Sequence, residues 1–96
     1  MAAAKRRSPV VRIFINNAKV RVQEIRQRPG HKGPMLERPN RVQYIIKGGK
    51  QRQYFPNGRT RVQTLKTGAV VWRKKEKFAA ENIGKTEIRF IGVRLK

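Results

Sequence analysis

Three tight-turn signals crowd into one short stretch of the chain: Gly48-Gly49, Pro56-Asn57-Gly58 and Thr67-Gly68. Glycine accepts positive φ and proline presets φ near −65°, so the backbone can reverse at each of them at little steric cost. The intervals between them are too short for an ordinary helix and suit strands. Residues 41–46, 51–55, 59–65 and 69–73 therefore read as four strands joined by successive hairpins. The expected fold is mainly β, a small antiparallel meander with basic loops and a terminal arm.

Alternation assigns the faces. Val42, Tyr44 and Ile46 share one side, as do Val70 and Trp72, and these are the expected core positions, with Trp72 as an aromatic anchor. Upstream, the apolar run 10–15 and the segment 19–25 flank Asn16-Asn17 and could form a first hairpin. Across 26–39, three prolines and two glycines leave no room for a regular element, so 26–40 reads as an extended basic loop. Residues 74–82, KKEKFAAEN, are rich in helix formers, and Gly84 is placed to end a short helix. The alternation over 86–95 predicts a last strand, long or bulged near Gly92. The domain reading is a basic arm over 1–9 and one small domain over 10–96.

Charge adds a second constraint. Twenty-five Lys and Arg face five acids, all glutamate, for a formal charge of +20. Such an excess repels itself and calls for an external polyanion: nucleic acid, an anionic membrane or an acidic protein. A membrane partner is set aside, because no 18-residue apolar run exists and 74–82 is too short for an amphipathic anchor. The chain has no Asp or Cys, and its one His and one Ser are His31 and Ser8. A catalytic triad would have to combine those two with a Glu, and a His/Cys metal site cannot be built. No phosphate-cradling glycine motif is present. The expectation is a binding protein with no enzymatic activity, cofactor, metal or small-molecule substrate.

Cations beside turns and loops are the natural phosphate contacts. They are Lys5, Arg6 and Arg7 in the arm, Arg26, Arg28, His31 and Lys32 in the loop, and Lys47 and Lys50 around Gly-Gly. Arg52, Arg59 and Arg61 border Pro-Asn-Gly, and Arg73, Lys74, Lys75 and Lys77 form the densest run. One of the adjacent rings Tyr54 and Phe55 must point outward and could stack on a base. The tripeptide Arg-Val-Gln recurs at 21–23, 41–43 and 61–63, followed two residues on by Ile25, Ile45 or Leu65. The surrounding blocks do not match, so this reads as repeated strand-like alternation and not as a solenoid repeat.

The stretch 32–78 resembles the twenty-eighth protein of the bacterial and organellar large ribosomal subunit. The resemblance rests on Lys32-Gly33-Pro34-Met35, Arg52-Gln53-Tyr54-Phe55-Pro56-Asn57, Arg61-Val62, Val70-Val71-Trp72-Arg73 and a helix from Lys74. It implies a structural constituent of the large subunit that contacts ribosomal RNA and neighbouring ribosomal proteins. The alternative is an architectural DNA-binding protein, histone-like or viral. The first acid is Glu24, and a basic, acid-free leading segment points to a mitochondrial ribosome more than to a cytoplasmic one.

Overall fold

Two antiparallel sheets are built by a chain that changes sheet at most of its connections. The computed structural model describes residues 10–96. Its strands are β1 (Val10–Asn16), β2 (Val20–Gln27), β3 (Leu36–Arg38), β4 (Arg41–Lys47), β5 (Gly49–Tyr54), β6 (Thr60–Leu65), β7 (Val70–Arg73), β8 (Glu76–Asn82) and β9 (Ile88–Leu95). One sheet has the order β1-β2-β9-β4-β7 and the other β3-β8-β5-β6. The mainly β, antiparallel expectation is met. The expected basic arm 1–9 lies outside the described residues.

Each turn signal is used, but not always for a hairpin. Asn17 accepts from the backbone N–H groups of Lys19 and Val20 and closes the β1–β2 hairpin. Gly58, at φ +88°, closes β5–β6, where Tyr54 pairs with Thr60. At Gly48 the chain instead crosses from one sheet to the other, so β4 and β5 do not pair. A Cβ at Gly48 would run into the Leu65 carbonyl, so only glycine fits this corner. Gly68 likewise ends β6 in one sheet and starts β7 in the other, its N–H bonded to the Ile45 carbonyl at 2.7 Å. The continuous meander is thus corrected to a two-sheet sandwich. A turn motif reverses the chain and is blind to which sheet the next strand joins.

The helix expected at 74–82 is also corrected, because its core is strand β8. β8 pairs with β3 on one side and β5 on the other, so tertiary pairing overrides the helix propensity of its Lys, Glu and Ala residues. Phe78, Ala80 and Asn82 alternate inward and are buried. In β9, the residue at which a bulge was expected, Gly92, pairs regularly with Gln23 and Gln43, and the irregularity falls on β4 between Ile45 and Lys47.

The sheet faces are the reverse of those expected. Tyr44 (46 % exposed), Val70 (67 %) and Trp72 (57 %) point outward, with Val42 and Ile46 only partly covered. Inward go Arg41, Gln43 and Ile45, all buried. The apolar centre is Ile45, Leu65, Ile88 and Phe90, with Ile25 and Ala69 packed against it. Ile45→Ala should therefore cost about 2–5 kcal/mol, whereas Trp72→Ala on the monomer should cost under about 1 kcal/mol. Urea unfolding of the two variants checks this, and equal destabilisation would place Trp72 back in the core.

Candidate functional site

The inward faces are layered. In the five-stranded sheet Arg21 pairs with Arg94, Arg94 with Arg41, and Arg41 with Arg73, so four arginines form one lateral row. The next inward row is Gln23, Gly92, Gln43 and Val71. The row after that is Ile25, Phe90 and Ile45. The facing sheet adds Arg38, opposite Glu76, then Arg61 opposite Gln53, Gln63 opposite Gln51, and Leu65 opposite Gly49. All three Arg-Val-Gln copies thus put Arg and Gln on one face of their strand and Val on the other; Arg41 is buried and Arg21 partly covered, while Arg61 stays exposed. Arg41, Gln23, Gln43, Gln51 and Gln53 are buried.

The glutamines orient the guanidiniums. Arg21 Nε donates to Gln23 Oε1 at 2.9 Å, Arg61 Nε to Gln53 Oε1 at 2.9 Å, and Arg73 Nε to Gln43 Oε1 at 3.3 Å. The amides continue the network across the interior: Gln53 Nε2 donates to Gln51, Gln51 Nε2 to Gln27, and Gln27 Nε2 to the carbonyls of His31 and Ala80. Such a chain polarises in one sense. Gln23 and Gln43 thus each accept from an arginine through the carbonyl oxygen. Arg41 is held by the Pro39 and Lys74 carbonyls, and Arg38 donates to the Phe78 carbonyl while stacking 4.2 Å from that ring.

Burial, with repulsion between neighbours second, lowers Arg38, Arg41, Arg73 and Arg94 from the ordinary arginine range. Arg38 falls to about 10, through burial first and then Arg41 and Arg94. Arg41 also falls to about 10, through burial, with Glu76 opposing and Arg73, Arg94 and Arg61 adding. Arg73 and Arg94 are lowered in the same way, again mainly by burial. Glu76, in an ion pair with Arg61 at 3.3 Å, is the carboxylate facing this cluster. Like charges directly opposite one another on a sheet are destabilising. The interior is therefore a preformed cationic, donor-rich wall.

A cavity of about 220 Å³ opens between the β1–β2 edge and β3, lined by Arg21, Arg38, Arg94, Gln23, Ile25 and Phe90 among others. A smaller space deeper in shares Arg38 and Phe90 with it and reaches Arg41 and Arg73. A larger but shallow groove runs along the β5–β6 turn past Phe55 and Arg59. The cavity of about 220 Å³ is the better site, because the buried polar groups Gln23, Gln27 and Gln51 converge on it. Divalent and transition metals are held by carboxylate, imidazole or thiolate. Guanidinium and amide donors do not fit such an ion, and among the described residues no cluster of His, Cys or acids could hold one.

Of the residues expected to contact phosphate, Arg73 lines the deeper space, whereas Arg61 is exposed and lines the shallow groove beside Glu76. Lys5, Arg6 and Arg7 lie outside the described residues. Arg26 pairs with Glu87 at 3.5 Å, and Lys32 sits 3.9 Å over the Tyr54 ring, whose hydroxyl donates to Glu81. His31 is buried, Arg52 is partly covered opposite Glu81, and Arg28, Lys47, Lys50, Arg59, Lys74, Lys75 and Lys77 are exposed. They do not converge on one place. Sequence reasoning passed over Arg21, Arg38, Arg41, Arg94 and the glutamines. The signal that could have found them is the Arg-x-Gln-x-(Ile/Leu) alternation, which puts three chemically distinct layers on one face.

No protein-family model and no curated protein matches the chain. Solved structures do. A cupin domain from Bordetella pertussis superposes with a TM-score of 0.84 at 23 % identity, covering 96 % of this chain and 97 % of that one. The fold is the cupin fold. An RmlC-like cupin family protein with a double-stranded β-helix fold, from Methanocaldococcus jannaschii, matches with a TM-score of 0.68 at 21 % identity over 92 % of this chain and 80 % of its own. A polyketide cyclase from Streptomyces resistomycificus matches with a TM-score of 0.64 at 17 % identity over 92 % and 65 %.

These matches correct the functional expectations. A cupin fold spanning nearly the whole chain replaces the ribosomal resemblance, which rested on short basic motifs and on a helix that is absent. The large-subunit role, the ribosomal RNA and ribosomal-protein partners and the DNA-binding alternative fall with it. So does the mitochondrial ribosome, since the cupin matches come from bacteria and an archaeon. A cationic cupin interior also makes a thermodynamic prediction. Arg94→Gln removes one member of the arginine row and should raise the melting temperature at low salt by relieving repulsion. It should also shrink the stabilisation given by added sulfate. A lower melting temperature at low salt would mean that the row is internally compensated.

Proposed function

We propose that this chain binds a small anion, rich in hydrogen-bond acceptors, inside its barrel and carries out no chemistry on it. The observation that carries the reading is the inward row Arg21, Arg94, Arg41 and Arg73, facing Arg38 and Arg61 with Glu76 as its nearby carboxylate. Like charges ordered side by side raise the energy of the empty protein, and an anion supplied from outside lowers it. Arginine forks preoriented by glutamine lose little side-chain entropy on binding, which favours affinity. The binding reading is supported by the cavity wall, whose lining is made of guanidinium, amide and apolar groups and includes no carboxylate or imidazole, the usual carriers of general acid–base chemistry.

This reading adds a small-molecule ligand to a chain expected to have no small-molecule substrate, and it gives the net charge another role. The exposed cations Lys47, Lys50, Lys74 and Lys75 surround the fold with positive potential, which speeds the arrival of an anion without touching it.

Calorimetric titration with inorganic phosphate, sulfate and acetate at fixed ionic strength tests the proposal. The double variant Arg38→Gln, Arg94→Gln should weaken binding of the best of these at least about tenfold, as expected when two charge-assisted contacts are lost. Lys74→Gln with Lys75→Gln should change the affinity by less than about threefold and act mainly on the association rate. Equal affinity in the Arg38/Arg94 variant and the unaltered protein would remove the barrel interior from consideration.

A further inference from the structure

We infer that the ligand is an organic acid with a short apolar tail, its anionic group on Arg21, Arg38 and Arg94 and its tail against Ile25, Phe90 and Leu36. This rests on the anion-binding reading above and adds what lies behind the charge. The same cavity that holds the three arginines is also lined by Val11, Ile25, Leu36 and Phe90. The two kinds of wall are separated along the strands. On β2 the order on the inner face is Arg21, Gln23, Ile25, and on β9 it is Arg94, Gly92, Phe90. Four residues of strand span about 13 Å, so the charged and apolar ends are well apart.

A hydrated inorganic ion would satisfy the arginines and leave the Ile25–Phe90 end against water. An anion with charge at both ends would bury its second charge there with no cation to meet it, which is costly. An acid with an apolar tail matches both ends at once, and Gly92 between Gln23 and Gln43 leaves the middle of the wall without a side chain. Leu36 and Val11, 45 % and 46 % exposed, lie at the edges of the two sheets where the cavity opens, so a tail can enter past apolar side chains. The cavity volume of about 220 Å³ corresponds to roughly seven waters at ~30 Å³ each, which limits the tail to a few carbons.

The test is a chain-length series of acetate, butyrate and hexanoate, with citrate as the hydrophilic polyanion, titrated at one pH and ionic strength. Affinity should rise roughly fourfold per buried methylene until the cavity is full, so hexanoate should exceed acetate by at least about thirtyfold. Intermolecular NOEs should join the hexanoate methyl to Ile25 and Phe90. Leu36→Ser, at an exposed position, should flatten the chain-length dependence. Equal affinity for acetate and hexanoate, both lost in the Arg38/Arg94 variant, would overturn the apolar tail and leave the anion site standing. Preference for citrate, or NOEs to Trp72 and Tyr44 on the outer face, would likewise overturn it. No binding by any of the four would overturn the organic-acid ligand, and no binding of phosphate or sulfate either would overturn the anion site with it.

Discussion

Everything distinctive about this molecule depends on cations held side by side where a small β-protein ordinarily keeps apolar groups. Arg21, Arg94, Arg41 and Arg73 occupy neighbouring strands at one level of the inner wall. Their repulsion is tolerable because each of several guanidiniums is tied to an acceptor: Gln23 for Arg21, Gln43 for Arg73, and the Pro39 and Lys74 carbonyls for Arg41. Neutral acceptors orient a cation without cancelling it. The wall therefore keeps its charge, and the depressed proton affinities of Arg38 and Arg41 register how poorly water and acids offset it.

The fold makes this arrangement possible by dividing the interior along the strand direction. Ile45, Leu65, Ile88 and Phe90 close one end with a small apolar core, which supplies the burial that stabilises the sandwich. The amide layer separates that core from the arginines. Acids are spent elsewhere: Glu24 pairs with Arg89, Glu87 with Arg26, and Glu81 accepts from Tyr54. Among the described residues Glu76 is the acid placed against the cationic end, and its partner is Arg61. With five acids in the chain, this distribution leaves the inner wall strongly positive. The cupin matches establish the frame on which these groups sit, and the groups themselves carry the functional argument.

The reversed sheet faces follow from the same division. Val42, Tyr44, Val70 and Trp72 alternate as a core face would, and their apolar character belongs to the outside of the five-stranded sheet. An apolar outer face opposite a polar inner one is the inverse of the usual one-sided antiparallel sheet. Hydropathy alternation identifies two faces but says nothing about which one meets the facing sheet. Here the longer polar side chains went inward because they line a cavity.

What the sequence determined by itself was local: β-class, most strand positions, and tight reversals at Asn17, Gly58 and Gly68, each set by short-range dihedral preferences. It also carried the inner wall in plain view, as Arg-x-Gln-x-(Ile/Leu) at 21–25, 41–45 and 61–65. Sheet membership was decided only by tertiary structure. Gly48 and Thr67-Gly68 are as good at turning a sheet corner as at closing a hairpin, and long-range pairing with β7, β8 and β9 chose between them. The same pairing pulled 76–82 out of its helical preference, because both of its edges are needed by β3 and β5. The site was decided there too. Arg94 lies more than 70 residues from Arg21 in the chain, and only their antiparallel register puts them side by side. Net charge states how many cations there are, and register alone states which of them face one another.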